Sequence, residues 1–541
     1  MKKLILNYEK KDYLYYVVLT ISLISLIPLF TIIFNSSIFD YTLFFLKNNE
    51  SLEYFVNSFV ILFWVLLFTF IFGLLSAYLV TFFNFYGVNF FKYSLILSFA
   101  IPPYIFGYSM SAFFENFGIF YALINFFFET ENANKFLPNF SPLTSSIISL
   151  SFTLYGYVYL ISRTSFASQS ANLIDLGRSM GFSTFMIFFK IIIPCARPAI
   201  FIGLSLVAME TLSDFGTVSY FGISTFTTAI YNHWFIFDDL KMANFLSLFL
   251  LAFVLILFAI ESFLRKNSKF HLLKNDSRGE KINLSGVRGF LAFLFCFSLF
   301  GLSFILPFFQ MIYWSIKFPE YFLSLNILEL NINTFLLIFC TSSILIFVSL
   351  ITNFGNRVLR NKFLKIISNL SISGYAIPGI IISVSIISFF SFLSDMTSIN
   401  FKNIFIGSLF GLILGYFFRF YAITYNGIKS NYYKINYSID ESSYLIGYTR
   451  FKTFSNVHWP MMQRSIFFIF ILVAIEIIKE LPITLILRPF NFETLATYTY
   501  QFAHDELMIE ASLPALFIIV TGLIPILLIQ NQLNRFFYSK N

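Results

Sequence analysis

The sequence predicts an all-α membrane protein of about twelve transmembrane helices, built as two tandem six-helix repeats. Three observations carry this expectation: composition, recurring apolar runs, and an internal duplication. Of 541 residues, 58% are hydrophobic and 11% charged, and mean hydropathy is +0.79. Soluble globular chains carry about 25% charged and about 45–50% apolar residues. That deficit of charge excludes a soluble enzyme, a disordered chain and a coiled coil. The net charge of +8 (35 Lys+Arg against 27 Asp+Glu) fits basic loops on one side of a membrane better than a nucleic-acid face.

A spanning helix needs about 20 mostly apolar residues. Such runs fall near 13–34, 57–83, 93–115, 143–162, 198–221, 244–264, 288–316, 333–354, 366–393, 404–425, 464–487 and 511–530. The Met-Lys-Lys start and the run from Tyr13 are expected to form a retained first span. The run is too long for a signal-peptide core and lacks a small-residue cleavage site. With both termini placed in the cytoplasm, 28 of the 35 basic residues fall on the cytoplasmic side, six of them between 419 and 464. That asymmetry sets the expected orientation.

The duplication is legible at two offsets. Asn57-Ser58 and Ala100-Ile101-Pro102 recur 276 residues later as Asn333-Thr334 and Ala376-Ile377-Pro378. Further on the offset is 266. Residues 175–200 (DLGRSMGFSTFMIFFKIIIPCARPAI) align with 441–466 (ESSYLIGYTRFKTFSNVHWPMMQRSI). The ten-residue difference is expected in the outer loop 116–142. The repeats are therefore 1–264 and 288–541, joined by a polar cytoplasmic linker, 265–287.

Asp175, Gly181 and Pro194 keep register with Glu441, Gly447 and Pro460. Glycine takes a left-handed turn cheaply, and proline lacks the N–H that a continuing helix needs. The pattern predicts a short helix, a turn, and a second helix ending at the proline before the next span. An ordinary amphipathic connector could show one such copy, but two at identical spacing argue for a shared role.

This pattern resembles the EAA loop of binding-protein-dependent ABC importers, with Leu176-Gly177 and Ser442-Ser443 where that family usually has two alanines. The string METLSDFGTVSYFG at 209–222, with TFTTAIY at 225–231, and KELPITLILRPFNFETLATY at 479–498 resemble the two-domain permeases of ferric-iron ABC importers. The resemblance runs from about Asn57 to Pro525. It implies a permease subunit that takes ferric iron from a solute-binding protein, in the bacterial cytoplasmic (inner) membrane. Thiamine, polyamine, sulfate and phosphonate permeases share the scaffold, so an organic-solute importer is the alternative. The resemblance also implies that Asp175, Arg178, Gly181 and Pro194, and Glu441, Gly447 and Pro460, belong to loops docking on an ABC ATPase, two copies of which one chain could engage. A proton- or sodium-coupled transporter would leave the repeated loop unexplained.

Four acids follow the loops at offset 266: Glu210 with Glu476, and Asp214 with Glu480. A carboxylate at the bilayer centre costs about 2.5–3.5 kcal/mol on insertion scales, so such residues usually face a bundle interior or a wet cavity. The i, i+4 spacing puts each pair on one helix face. Two readings stay open: the acids line a cation path, or they pair locally (Glu476 or Glu480 with Lys479) or sit at the outer interface. A stably bound metal is not expected. His233, His271, His458 and His504 are expected to be solvated or hydrogen-bonded, and Cys195, Cys296 and Cys340 share no ligand or redox spacing. No G-x-x-x-x-G-K-[ST] loop, zinc-protease motif or nucleophile elbow occurs. The chain is expected to bind no cofactor and to be no enzyme, with ATP on the partner subunit.

Overall fold

The computed structural model describes residues 13–35, 49–115, 118–128, 137–168, 177–267, 281–319 and 327–538. Helix dominates; the strands among these residues are the two-residue segments Phe83–Asn84 and Ile282–Asn283. Among the described residues nine helices are long and apolar enough to cross a membrane, or ten with the bent pair Tyr13–Ile24 and Ile27–Phe34 taken as one span. The pair bends by 46°, where Pro28 has no N–H to return to the preceding turn. The runs expected at 404–425 and 511–530 fall on the helices Leu409–Lys434 and Met508–Tyr538.

Two expected spans are interrupted, at equivalent places. In the run 93–115, a short helix and the 3₁₀ turn Leu97–Ala100 precede a restart at Pro103–Phe114. In the run 366–393, the 3₁₀ turn Ser371–Ala376 precedes the helix Gly379–Met396. Pro102 and Pro378 supply the extended N-cap in each case (φ −57° and −53°). A proline here costs no helical hydrogen bond, because the first turn of a helix has no intrahelical acceptor for its N–H.

The chain packs as two compact units that regroup the sequence repeats. One gathers the described residues among 1–41, 230–251 and 326–497. Its core joins Ile346, Leu350, Ile428, Tyr432, Ile435, Met462, Ile466 and Ile469. Small and polar side chains tie its helices: Ser349 to Thr424 at 2.6 Å, Ser22 to Ser368 at 3.1 Å, and Asn244 to Ser388 at 2.8 Å. Such contacts are the usual glue where lipid removes the hydrophobic drive between helices.

The other unit gathers residues among 42–229, 252–325 and 498–541. Ile61, Val65, Leu150, Leu154, Val158 and Val207 lie in its core. Val158 is flanked by two glycines. A methyl on Gly73 would lie 2.6 Å from its Cβ, and one on Gly203 3.1 Å from its Cα. Both helices therefore approach the helix Pro142–Ser168 closely. Helices expected to open and close the second repeat, Gly286–Phe300 and Met508–Tyr538, belong to this unit, whereas Tyr13–Ile24 belongs to the first.

Candidate functional site

From Gly177 and Ser443 onward the two loops share their turn at offset 266. In the first, Gly181 N–H donates to the Arg178 carbonyl (2.9 Å) and Phe182 N–H to the Gly177 carbonyl (3.0 Å). In the second, Gly447 N–H donates to Tyr444 (3.0 Å) and Tyr448 N–H to Ser443 (3.0 Å). This is the Schellman ending of a helix, which requires a left-handed residue. Gly181 and Gly447 have φ +75° and +89°, and nothing within 4 Å of an added Cβ. Backbone conformation, not crowding, calls for glycine.

Ser183 and Thr449 then open the next turn, accepting from Met186 N–H (3.3 Å) and Lys452 N–H (3.4 Å). A five-residue π-helical turn follows in each copy, Phe188–Ile192 and Phe454–His458. The long helices Ile193–Ser213 and Trp459–Lys479 continue directly from it. This corrects the expectation that Pro194 and Pro460 mark a helix end. Each proline sits just inside the long helix, and the preceding π turn shifts the hydrogen-bond register so the helix passes through.

Of the named loop residues, Asp175 lies outside the described residues. Glu441 is exposed and only 3.9 Å from Arg360, itself exposed, a geometry worth little in water. The buried acid is its neighbour, Asp440. Arg357 donates to it through Nε (2.7 Å) and Nη2 (3.2 Å), and also to the carbonyls of Tyr432 and Asn436. His458 Nε2 lies 2.8 Å from Asp440 Oδ1. Burial works to raise the Asp440 pKa, but the hydrogen bonds from His458 and Arg357, with the guanidinium charge, hold it below its ordinary value. At the equivalent positions the first repeat carries Ile174, Thr81 and Ile192, so only the second loop has this clamp.

The small residues within each loop have a packing reason. A methyl on Gly177 would lie 2.8 Å from Ile191 and 3.0 Å from Ile187. Its counterpart Ser443 instead meets Thr453 through hydroxyls at 2.9 Å.

At their far ends the long helices reach the acids. Asp214 ends the first and accepts from Thr217 N–H (3.1 Å), the Thr217 hydroxyl (3.0 Å) and Val218 N–H (3.2 Å), the start of the short helix Gly216–Tyr220. Glu480 occupies the same place in the second repeat, accepting from Ile483 N–H at 3.4 Å before the helix Pro482–Leu487. It also pairs with Arg419 (Nε to Oε2, 3.0 Å), whose Nη1 donates to the Ile377 carbonyl. Arg419 was expected in a basic loop; it is instead buried within the helix Leu409–Lys434. Glu210 and Glu476, one turn earlier, are half-buried. Glu476 has no hydrogen bond or ion pair among the described residues.

The signature strings also have structural duties. Asn57 and Asn333 donate to the carbonyls of Ser224 (3.0 Å) and Glu493 (3.1 Å). Ser58 and Thr334 accept from the N–H groups of Phe226 (3.3 Å) and Leu495 (3.0 Å). Thr228 and Thr497 cap the helices Phe226–Phe235 and Leu495–His504, and Arg488 pairs with Glu493. Of the histidines, His458 is buried and bonded as described, and His271 lies outside the described residues. Among the described residues no group of three or more His, Cys, Asp or Glu could hold a metal ion.

Comparison with known proteins places this geometry. Residues 69–269, which include the first loop and its acids, match the family described as binding-protein-dependent transport system inner membrane component. Over 469 residues the chain is 24% identical to the Fe(3+)-transport system permease protein FbpB 2 of Haemophilus influenzae, covering 85% of each chain. The second loop repeats the glycine turn, the π turn and the long helix of the matched region. The chain is a multi-pass permease component of a binding-protein-dependent transport system.

Proposed function

We propose that the chain translocates ferric iron across the bacterial cytoplasmic membrane, driven by an ABC ATPase bound at the two loops. Both termini, the linker and both loops face the cytoplasm, as the basic residues favour. One ATPase copy docks on each loop, and an iron-loaded solute-binding protein delivers cargo to the opposite face. The observation that carries the transport mechanism is the continuous helix that leaves the loop in each repeat, with Pro198 in the interior of the first. A helix of 21 residues spans about 31 Å at 1.5 Å per residue. Movement of a docked loop would therefore reach Asp214 or Glu480, where the chain turns into a short helix.

Iron rests on the similarity to the Haemophilus influenzae Fe(3+) permease along most of both chains. Glu476, and Glu210 at the same place in the first repeat, favour a cation in the path without trapping it, while Asp214 and Glu480 are engaged at the helix ends. The test is uptake of radiolabelled ferric iron under iron limitation, with and without this chain, with labelled thiamine alongside. The expected result is loss of ATP-dependent iron uptake with thiamine unchanged. Unchanged iron uptake in cells lacking other iron importers would overturn the substrate.

A further inference from the structure

We propose that the groove between the first loop and the end of the linker binds one anionic phospholipid, head group at the linker end and acyl chain along the apolar strip of the helix that follows it. The groove holds about 780 Å³ and is lined by Tyr78, Phe185, Phe188, Phe189, Val287 and Arg288, among others. That is ample for a small amphiphile. Its floor is made by the linker itself. Ile282–Asn283 pair in parallel with Phe83–Asn84, Leu284 N–H donates to the Asn84 carbonyl at 2.9 Å, and the Asn84 amide donates to Asn283 at 2.9 Å.

Charge and polarity select the occupant. Lys281, next to the groove-lining Ile282, donates to the Val80 carbonyl at 3.1 Å and lies near Lys92 and Arg163. Arg163 in turn donates to the Lys92 carbonyl at 2.6 Å. Arg288 lines the groove, is exposed, and has no partner among the described residues. No acid pairs with Arg163, Lys281 or Arg288 among those residues. The wall beside these cations is aromatic, and exposed Val287, Phe290, Leu291 and Leu294 continue it along a candidate membrane span, Gly286–Lys317. A basic pocket at a span end, running into a lipid-facing apolar strip, fits an anionic lipid. A soluble partner would not follow the strip into the bilayer.

The test is native mass spectrometry of the full-length chain in detergent, titrated with dioleoyl phosphatidylglycerol, dioleoyl phosphatidylcholine or soluble glycerol phosphate. The expected result is one phosphatidylglycerol retained at least tenfold more tightly than phosphatidylcholine, with glycerol phosphate a poor competitor. Arg288→Gln with Lys281→Gln should weaken phosphatidylglycerol at least fivefold and leave phosphatidylcholine unchanged, whereas Lys362→Gln with Lys365→Gln should change neither. Arg288→Gln alone, at an exposed site, serves if the double variant elutes aggregated. Equal retention of the two lipids, unchanged retention in the Arg288 variants, or equally effective glycerol phosphate would each overturn the site. So would variants that lose a co-purifying ATPase while keeping the lipid, since the groove would then seat a protein.

Discussion

Arg357 grips Asp440 with two hydrogen bonds, Nε to Oδ2 at 2.7 Å and Nη2 to Oδ1 at 3.2 Å, and so fastens the helix Tyr437–Leu445 to the helix Ile327–Leu359. Both side chains are over nine-tenths buried. Removing one partner of a buried pair strands the other, at a cost of about 3–5 kcal/mol. Asp440→Ala should therefore lower the thermal midpoint of the purified chain and expose the 437–449 segment to protease. Glu441→Ala, at an exposed pair, should leave both unchanged. Equal protease resistance in the two variants would show that the clamp does not hold the loop.

The same carboxylate sets a pH dependence. Its folded pKa lies below the ordinary 3.8, so the unfolded state binds the proton first as pH falls. The stabilisation is complete above that ordinary value and is lost as pH drops through the folded one. The protection difference between wild type and Asp440→Asn should persist at pH 5 and shrink below about 4. Limited proteolysis across pH with an acid-active protease reads this directly.

Glycine at 379 and glutamate at 480 are matched in size. A methyl on Gly379 would lie 2.5 Å from Glu480 Oε1, which drives the carboxylate off Arg419. Gly379→Ala should destabilise by about 1–3 kcal/mol from crowding alone. Glu480→Asp shortens the side chain by one methylene, so adding it to Gly379→Ala should restore part of the thermal midpoint. A double variant no better than Gly379→Ala would place the clash elsewhere.

These partners explain what could and could not be read in the sequence. The turns were legible because Gly181 and Gly447 are demanded by local backbone geometry, and local geometry leaves a fixed spacing. The all-α class followed from composition. Asp440 was passed over for Glu441 because adjacent residues on a helix differ by about 100° in facing, and only distant Arg357 decides which one is inward. Arg419 was read as a loop cation because its acid lies 61 positions away. The regrouping of Tyr13–Ile24 and Gly286–Phe300 across packing units was invisible for a similar reason: repeats record descent, not which helices touch.

Gly447 offers a test free of packing. Nothing lies within 4 Å of an added Cβ, so any penalty comes from φ. A left-handed conformation costs an ordinary residue about 1–2 kcal/mol, and asparagine tolerates it better than most. Gly447→Asn should keep ATPase association near wild type, and Gly447→Val should lose it without loss of membrane insertion. The equivalent pair at Gly181 should behave alike. Comparable co-purification of the ATPase with Asn and Val variants would remove the turn from the docking surface.

Glu476 and Glu480 differ in their partners within one helix turn. Glu480 is committed: it pairs with Arg419 and accepts the Ile483 N–H. Glu480→Gln leaves the buried Arg419 without its counter-charge, so the thermal midpoint should fall, and any loss of uptake would follow from that. Glu476 has no such commitment among the described residues, and its half-buried carboxylate can meet a passing cation. Glu476→Gln should therefore impair iron uptake at an unchanged midpoint and unchanged membrane insertion, and adding Glu210→Gln should impair uptake further. Measuring uptake and thermal midpoint on the same preparations distinguishes the two roles. Full uptake by the Glu210/Glu476 double variant would take both acids out of the path and leave the carboxylates as helix-end anchors.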